Sequence, residues 1–140
     1  MTTIAASKRY GMMAGDTKIT DDGGGIGFHS RKIWVVNGDF VGVAGDAVDI
    51  PQFRKWYLNN DCNVHINKEF NGLVLTKSGR IYFYDNVLEP ILVTGECYAI
   101  GSGAQIAMYI MKKGGSPKDA VKAASEIDPN TGGRINTLSL

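Results

Sequence analysis

Residues 1–16 read MTTIAASKRYGMMAGD. Two threonines follow the first methionine, and a short apolar alternation then runs into a glycine and an aspartate. Chain termini are usually frayed, whereas this one has the composition of a strand built into a sheet. Residues 3–8 and 11–20 are extended in character and read as two pairing strands, with Tyr10-Gly11 as the turn between them. Working outward, DDGGGIGFHS (21–30) reads as a glycine-rich loop. KIWVVN and DFVGVAG follow as β-branched and aromatic runs split by Asn37-Gly38, a strong two-residue hairpin signal.

Beyond this point the period changes. Ile50, Phe53, Trp56 and Tyr57 recur at helical spacing and predict a helix over 47–58, with Pro51 in its first turn. GLVLTKSGRIYFYD (72–85) repeats the hairpin pattern around Lys77-Ser78-Gly79. ILVTG and CYAIGSG continue in strand character. AQIAMYIMKKGG predicts a helix with Ile106, Ala107, Ile110 and Met111 on one face, ended by two lysines and a glycine. Ser116 caps the next helix, Pro117 sits where a missing N–H costs nothing, and Asp119 completes a capping box. On that helix Ala120, Ala124 and Ile127 are expected to face inward. DPNTGG (128–133) stops it, and RINTLSL closes the chain as a strand. Hairpins with helices segregated along the chain predict an α+β fold in layers. Periodicity leaves open whether the strands form one sheet or two.

The chain has 140 residues, of which 44% are hydrophobic and 21% charged, with a formal net charge of +1. That is the composition of one ordinary globular domain, large enough for its own core. The short basic clusters Lys8-Arg9 and Lys112-Lys113 make no nucleic-acid footprint or membrane anchor. No apolar run reaches the length of a membrane span and the first residues lack a secretory stretch, so a cytoplasmic protein without membrane or nucleic-acid partners is expected. Cys62 and Cys97 are too far apart for a C-x-x-C site and read as buried thiols.

Candidate chemistries narrow quickly. Ser102 in IGSGA fails the nucleophile-elbow pattern, because Ile100 and Ala104 stand where glycines are required. His29 and His65 have no recognisable orienting neighbour and read as structural. GGGIGF precedes a strand rather than a helix, so it is no dinucleotide cradle. The acidic pairs Asp21-Asp22 and Asp46-Asp49 lack histidine or cysteine at ligand spacing, and neither a metal nor a cofactor is expected. The threonine at the start is different. A threonine at a free N-terminus carries its own base, the α-amine, whose reference pKa of about 7.7–8.0 lies near working pH. Such a site needs a cation to keep the amine neutral, a carboxylate to hold that cation, and backbone N–H donors for the oxyanion.

TTIAA, AGDTKIT, RKI sixteen residues past the aspartate, GVAGDAVD, AIGSG and DPNTGG resemble, in that order, the motifs of proteasome β-subunits and the related HslV peptidase. The resemblance covers most of the chain. It implies the N-terminal-nucleophile (Ntn) hydrolase fold, a four-layer αββα sandwich of two antiparallel sheets, here with a reduced helical layer. NNDCNVHINKEF (59–70) stands where relatives carry a second long helix. By motif, Thr2 would be the nucleophile once Met1 is removed. Asp16 would orient and charge-balance Lys32, Lys32 would tune the threonine, and Gly42 would supply the oxyanion N–H. Ser102, Asp128 and Thr131 would form the supporting hydrogen-bond cluster, with threonine at 131 where serine is more common. Apart from the motifs, the glycine loop and residues near Ile19, Trp34 and Phe40 are candidates to line a substrate pocket, and core packing explains Trp34 and Phe40 about as well.

The implied function is a threonine endopeptidase acting on unfolded peptide or protein substrates within a homo-oligomeric ring, with an ATP-dependent unfoldase as a possible partner. The alternatives are a non-catalytic assembly protein that retains Met1, and a small-amide hydrolase of the wider Ntn class.

Overall fold

The computed structural model describes residues 2–20, 26–45, 49–59, 66 and 69–140. Its elements run β1 (Thr3–Ser7), β2 (Met12–Gly15), β3 (Lys18–Thr20), β4 (Ile26–His29), β5 (Ile33–Val36), β6 (Asp39–Ala44), α1 (Asp49–Asn59), β7 (Asn71–Leu75), β8 (Ile81–Tyr84), β9 (Ile91–Val93), β10 (Cys97–Gly101), α2 (Ala104–Lys112), α3 (Pro117–Ile127) and β11 (Asn136–Ser139).

The opening stretch is as internal as its composition implies: every residue of β1 is buried. It lies between β10 and β2 in an antiparallel sheet of order β10-β1-β2-β11. A second antiparallel sheet has the order β5-β6-β7-β8-β9, and β3 pairs with β4 in a separate ribbon. The question of one sheet or two is thereby answered.

The two-residue period of the strands sorts side chains into layers. Ile4, Ala6, Met13 and Ile100 meet Ile33, Phe40, Leu73, Leu75 and Ile81 in a core between the two sheets. The intervening residues Ala5, Ala14 and Ala99 face the other way and pack on Ala107, Met111, Ala120 and Val121 of α2 and α3. These small side chains let the helices approach the sheet closely. On the far face of the five-stranded sheet, Val41, Val43 and Val74 meet Phe53 of α1, together with Phe70 and Tyr84. Phe53 is fully buried, with ring centroids 4.9 Å from Phe70 and 5.3 Å from Tyr84. A Cβ at Gly72 would stand 3.0 Å from the Phe53 ring, so the glycine makes room for this anchor. The layers are α2 and α3, sheet, sheet, α1. Among the described residues the α1 layer holds that one helix, and most of residues 59–70, where the missing second helix was expected, lies outside them.

Several local expectations stand. Asn37-Gly38 turns between β5 and β6 with φ of 53° and 86°, the positive values this hairpin turn requires. Ser116 caps α3 in a full capping box with Asp119, and Pro117 opens the helix. Pro51 lies in the first turn of α1.

Others are corrected. The expected strand over 11–20 breaks at Asp16-Thr17 into β2 and β3, which belong to different sheets. The physical cause is the Asp16 side chain, which bonds across to neighbouring backbone. Ile26–His29 forms β4 rather than loop. The Ile127 side chain is 68% exposed, and Val121 takes the inward place with Ala120 and Ala124. The buried stripe of α3 follows positions 117, 120, 121 and 124 and runs out where the helix ends. Of the two roles open to Phe40, the structure gives the core one, with the side chain 5% exposed. Trp34 packs beside the α1 cluster with the Arg54 guanidinium 4.5 Å from its ring centre. Cys97 is a half-buried free thiol, pushed up by burial. Cys62, His65, Asp21-Asp22, Asp46 and Gly23–Gly25 lie outside the described residues.

Candidate active site

Asp16 is fully buried and organises the site from the end of β2. Its Oδ1 accepts the Thr3 N–H at 3.1 Å and the Lys32 Nζ at 3.0 Å, while its Oδ2 accepts the Gly132 N–H at 3.1 Å. The Asp16 N–H donates in return to the Thr3 carbonyl at 3.2 Å, so the two residues clasp each other. Gly15 permits this placement, because a Cβ there would press on Ile33 at 3.0 Å. Lys32 stands just before β5 and is only 2% exposed. Its ammonium also donates to the Lys18 carbonyl at 2.5 Å. Burial holds Lys32 below the usual lysine range, with the Asp16 charge and hydrogen bond opposing that shift.

A second group gathers around Asp128, the C-cap of α3. Its Oδ2 accepts the Ser102 hydroxyl at 2.5 Å and the Thr131 hydroxyl at 2.6 Å, and its Oδ1 accepts the Asn130 N–H at 3.1 Å. Ser102 Oγ also lies 3.4 Å from the Thr2 carbonyl oxygen, and Thr2 is 3% exposed. Burial pushes the Asp128 carboxyl up, but the hydrogen bonds from Ser102, Thr131 and Asn130 outweigh it and leave the group below its ordinary value. A depressed carboxyl stabilises the fold above its ordinary value of 3.8, and that contribution is lost as pH falls through the lower folded value. Asp128→Asn should therefore flatten the loss of stability with falling pH in this acid range, as read by denaturant unfolding at stepped pH.

The two groups are fastened together by backbone. The Gly132 carbonyl accepts the N–H groups of Thr17 and Lys18, both at 3.1 Å, and Lys18 Nζ donates to the Pro129 carbonyl at 2.6 Å. Thus Thr2, Asp16, Lys32, Ser102, Asp128 and Thr131, read from separate motifs, converge at one end of β1.

Gly101 and Gly103 also belong to this arrangement, although the sequence reading singled out only the serine between them. A Cβ at Gly101 would overlap the Thr2 carbonyl, and its φ of +97° is one that side chains resist. A Cβ at Gly103 would overlap Thr3 Oγ1. The signal was the G-S-G triplet itself: two glycines flanking a hydroxyl, where another chain segment must come close. Gly101→Ala should cost about 3 kcal/mol in chemical denaturation, from overpacking plus backbone strain.

Gly42 lies within β6, paired to Ile33 on one side and Leu73 on the other. A Cβ there would meet Ile4 at 2.8 Å, so this glycine serves the packing of the two sheets. Gly45 ends the same strand with an exposed backbone and a φ of +152°.

Among the described residues no three histidine, cysteine or carboxylate side chains gather as metal ligands, and no helix is long and apolar enough to cross a membrane. A groove of about 660 Å³ lies at the opposite end of β1 and β10, beside Ser7 and Cys97, and includes none of the residues above.

Neither a protein-family model nor a curated protein sequence matches the chain. Solved structures do. Thiobacillus denitrificans BPH in complex with epoxomicin superposes with a TM-score of 0.73 at 17% identity, covering 98% of this chain and 97% of the other. Eukaryotic HslV from Trypanosoma brucei gives 0.72 at 16% identity, covering 98% of each chain. A second structure of Thiobacillus denitrificans BPH gives 0.67 at 18%, covering 98% and 95%. From one end to the other, this chain has the fold of HslV and of BPH.

Proposed function

We propose that the chain is a threonine peptidase in which Thr2, once whatever precedes it is removed, is the nucleophile. The observation that carries the reading is one shared atom: Asp16 Oδ1 holds both the backbone N–H next to Thr2 and the buried Lys32 ammonium. Lys32 and the start of the chain are thereby kept side by side in a setting where charge interactions are weakly screened.

In this mechanism the Thr2 hydroxyl attacks a peptide carbonyl carbon. Its proton passes to the Thr2 α-amine, directly or through water, and a tetrahedral oxyanion forms. Collapse expels the amine leaving group, which takes that proton, and leaves an acyl ester on Thr2 that water then hydrolyses. The Lys32 charge favours a neutral α-amine, the form able to accept a proton, and it stabilises the developing anion. Ser102 spends its single proton on Asp128 and keeps its lone pairs for an N–H of the Thr2 amine. For the oxyanion donor we propose the Gly42 N–H, on the strand whose glycine packs against Ile4 of β1, two residues beyond Thr2.

The substrate class we infer is unfolded peptide. Confinement of the sites inside a homo-oligomeric ring, as the resemblance to HslV suggests, would limit access to such chains. An ATP-dependent unfoldase would then supply them. The test is hydrolysis of fluorogenic peptides by the purified protein, with native mass to count subunits. Turnover that epoxomicin suppresses supports the reading. A processed, assembled protein that hydrolyses none of a broad peptide set contradicts it.

A further inference from the structure

We propose that Thr3 is a positioning residue: its hydroxyl, acting through Thr131, holds the Asp128 carboxylate in place against Ser102 beside Thr2. Thr131 Oγ1 lies 2.6 Å from Asp128 Oδ2 and 2.7 Å from Thr3 Oγ1. A hydroxyl has one proton to give. A carboxylate only accepts, so the Thr131 proton goes to Asp128, and Thr3 must be the donor to Thr131. The chain of donation therefore runs Thr3 to Thr131 to Asp128 and has one direction.

The surroundings enclose the Thr3 side chain. Its side chain is fully buried, and a Cβ at Gly103 would fall on its Oγ1, so that glycine is the space the hydroxyl occupies. Its N–H is held by Asp16 at 3.1 Å. One residue thus reaches both halves of the site: the backbone faces the Asp16–Lys32 pair and the side chain faces Asp128. The second threonine of the opening TT pair has a task of its own, separate from that of the first. Without its hydroxyl, Thr131 would lose the donor that orients it, and Asp128 one of the anchored bonds that favour its charged form.

This inference deepens the peptidase reading and rests on it for its catalytic consequence only. The test compares wild type, Thr3→Val, which keeps shape and loses the hydroxyl, and Thr3→Ser, which restores it. Two readouts are taken: peptide turnover, and the carboxyl titration of Asp128 by carbon-13 NMR. Among the described residues, the charged groups that bond this loop are Lys18, through the Pro129 carbonyl, and Asp16, through the Gly132 N–H, with Lys32 paired to Asp16; these and the Thr2 amine of the processed chain are left unaltered. Expected in Thr3→Val are an upward shift of the Asp128 titration and a fall in kcat of about tenfold with KM little changed, both recovered in Thr3→Ser. An Asp128 titration that does not move in Thr3→Val overturns the inference, whatever the turnover. A titration that moves as expected in a processed protein that cleaves nothing upholds the Thr3 assignment and overturns the peptidase reading instead.

Discussion

Thr2→Ala is expected to abolish peptide cleavage, by at least about a thousandfold in kcat, while the protein remains folded and assembled. The hydroxyl is the one group in the proposed mechanism that forms a bond to substrate, and alanine leaves nothing to take its place. The fold has little to lose from the change. The backbone of β1 is fixed by its ladder to β10 and β2, from Thr3 onward, and by the Asp16 clasp. Unfolding free energy should accordingly shift by no more than about 1 kcal/mol, the scale of a single hydrogen bond. Cleavage that survives in a preparation free of contaminating peptidase would remove Thr2 from the mechanism.

Lys32→Ala should also end turnover, but by a different route and with a structural cost. Lys32 and Asp16 are 2% and 0% exposed and form an ion pair at 3.0 Å. Removing one partner of such a pair strands the other charge and typically costs about 3–5 kcal/mol. Asp16 would keep its two backbone donors, Thr3 and Gly132, which places the expected loss at the lower end of that range. Circular dichroism and denaturant unfolding read the stability, and peptide assays the activity. Lys32→Arg is the informative companion: it restores a positive charge that hardly titrates and does not fit the same pocket, so stability should recover more than turnover. A Lys32→Ala protein that is folded and cleaves peptide at the wild-type rate would refute the role assigned to this lysine.

Legibility from sequence followed the range over which each signal acts. Cap and turn chemistry is local, and the Ser116-Pro117-Asp119 cap and the Asn37-Gly38 turn could be placed directly. The convergence of Thr2, Asp16, Lys32, Ser102, Asp128 and Thr131 could be read only from the order of their motifs, since no local pattern links Asp16 to Gly132 or Thr3 to Thr131. The failures came where tertiary contact decides. β3 is three residues long with a register shift between Ile19 and Thr20, so it leaves no alternating pattern to read. Ile127 fits the apolar period of α3 and is exposed because the helix ends there.

A free amino group on Thr2 is the condition for all of this chemistry, and the mass and N-terminal sequence of the active protein isolated from its native host test it most directly. The account predicts a chain whose first residue is Thr2, with the Asp16–Lys32 pair beside it. Peptide cleavage by a homogeneous preparation in which the Thr2 nitrogen is still in peptide linkage would contradict it.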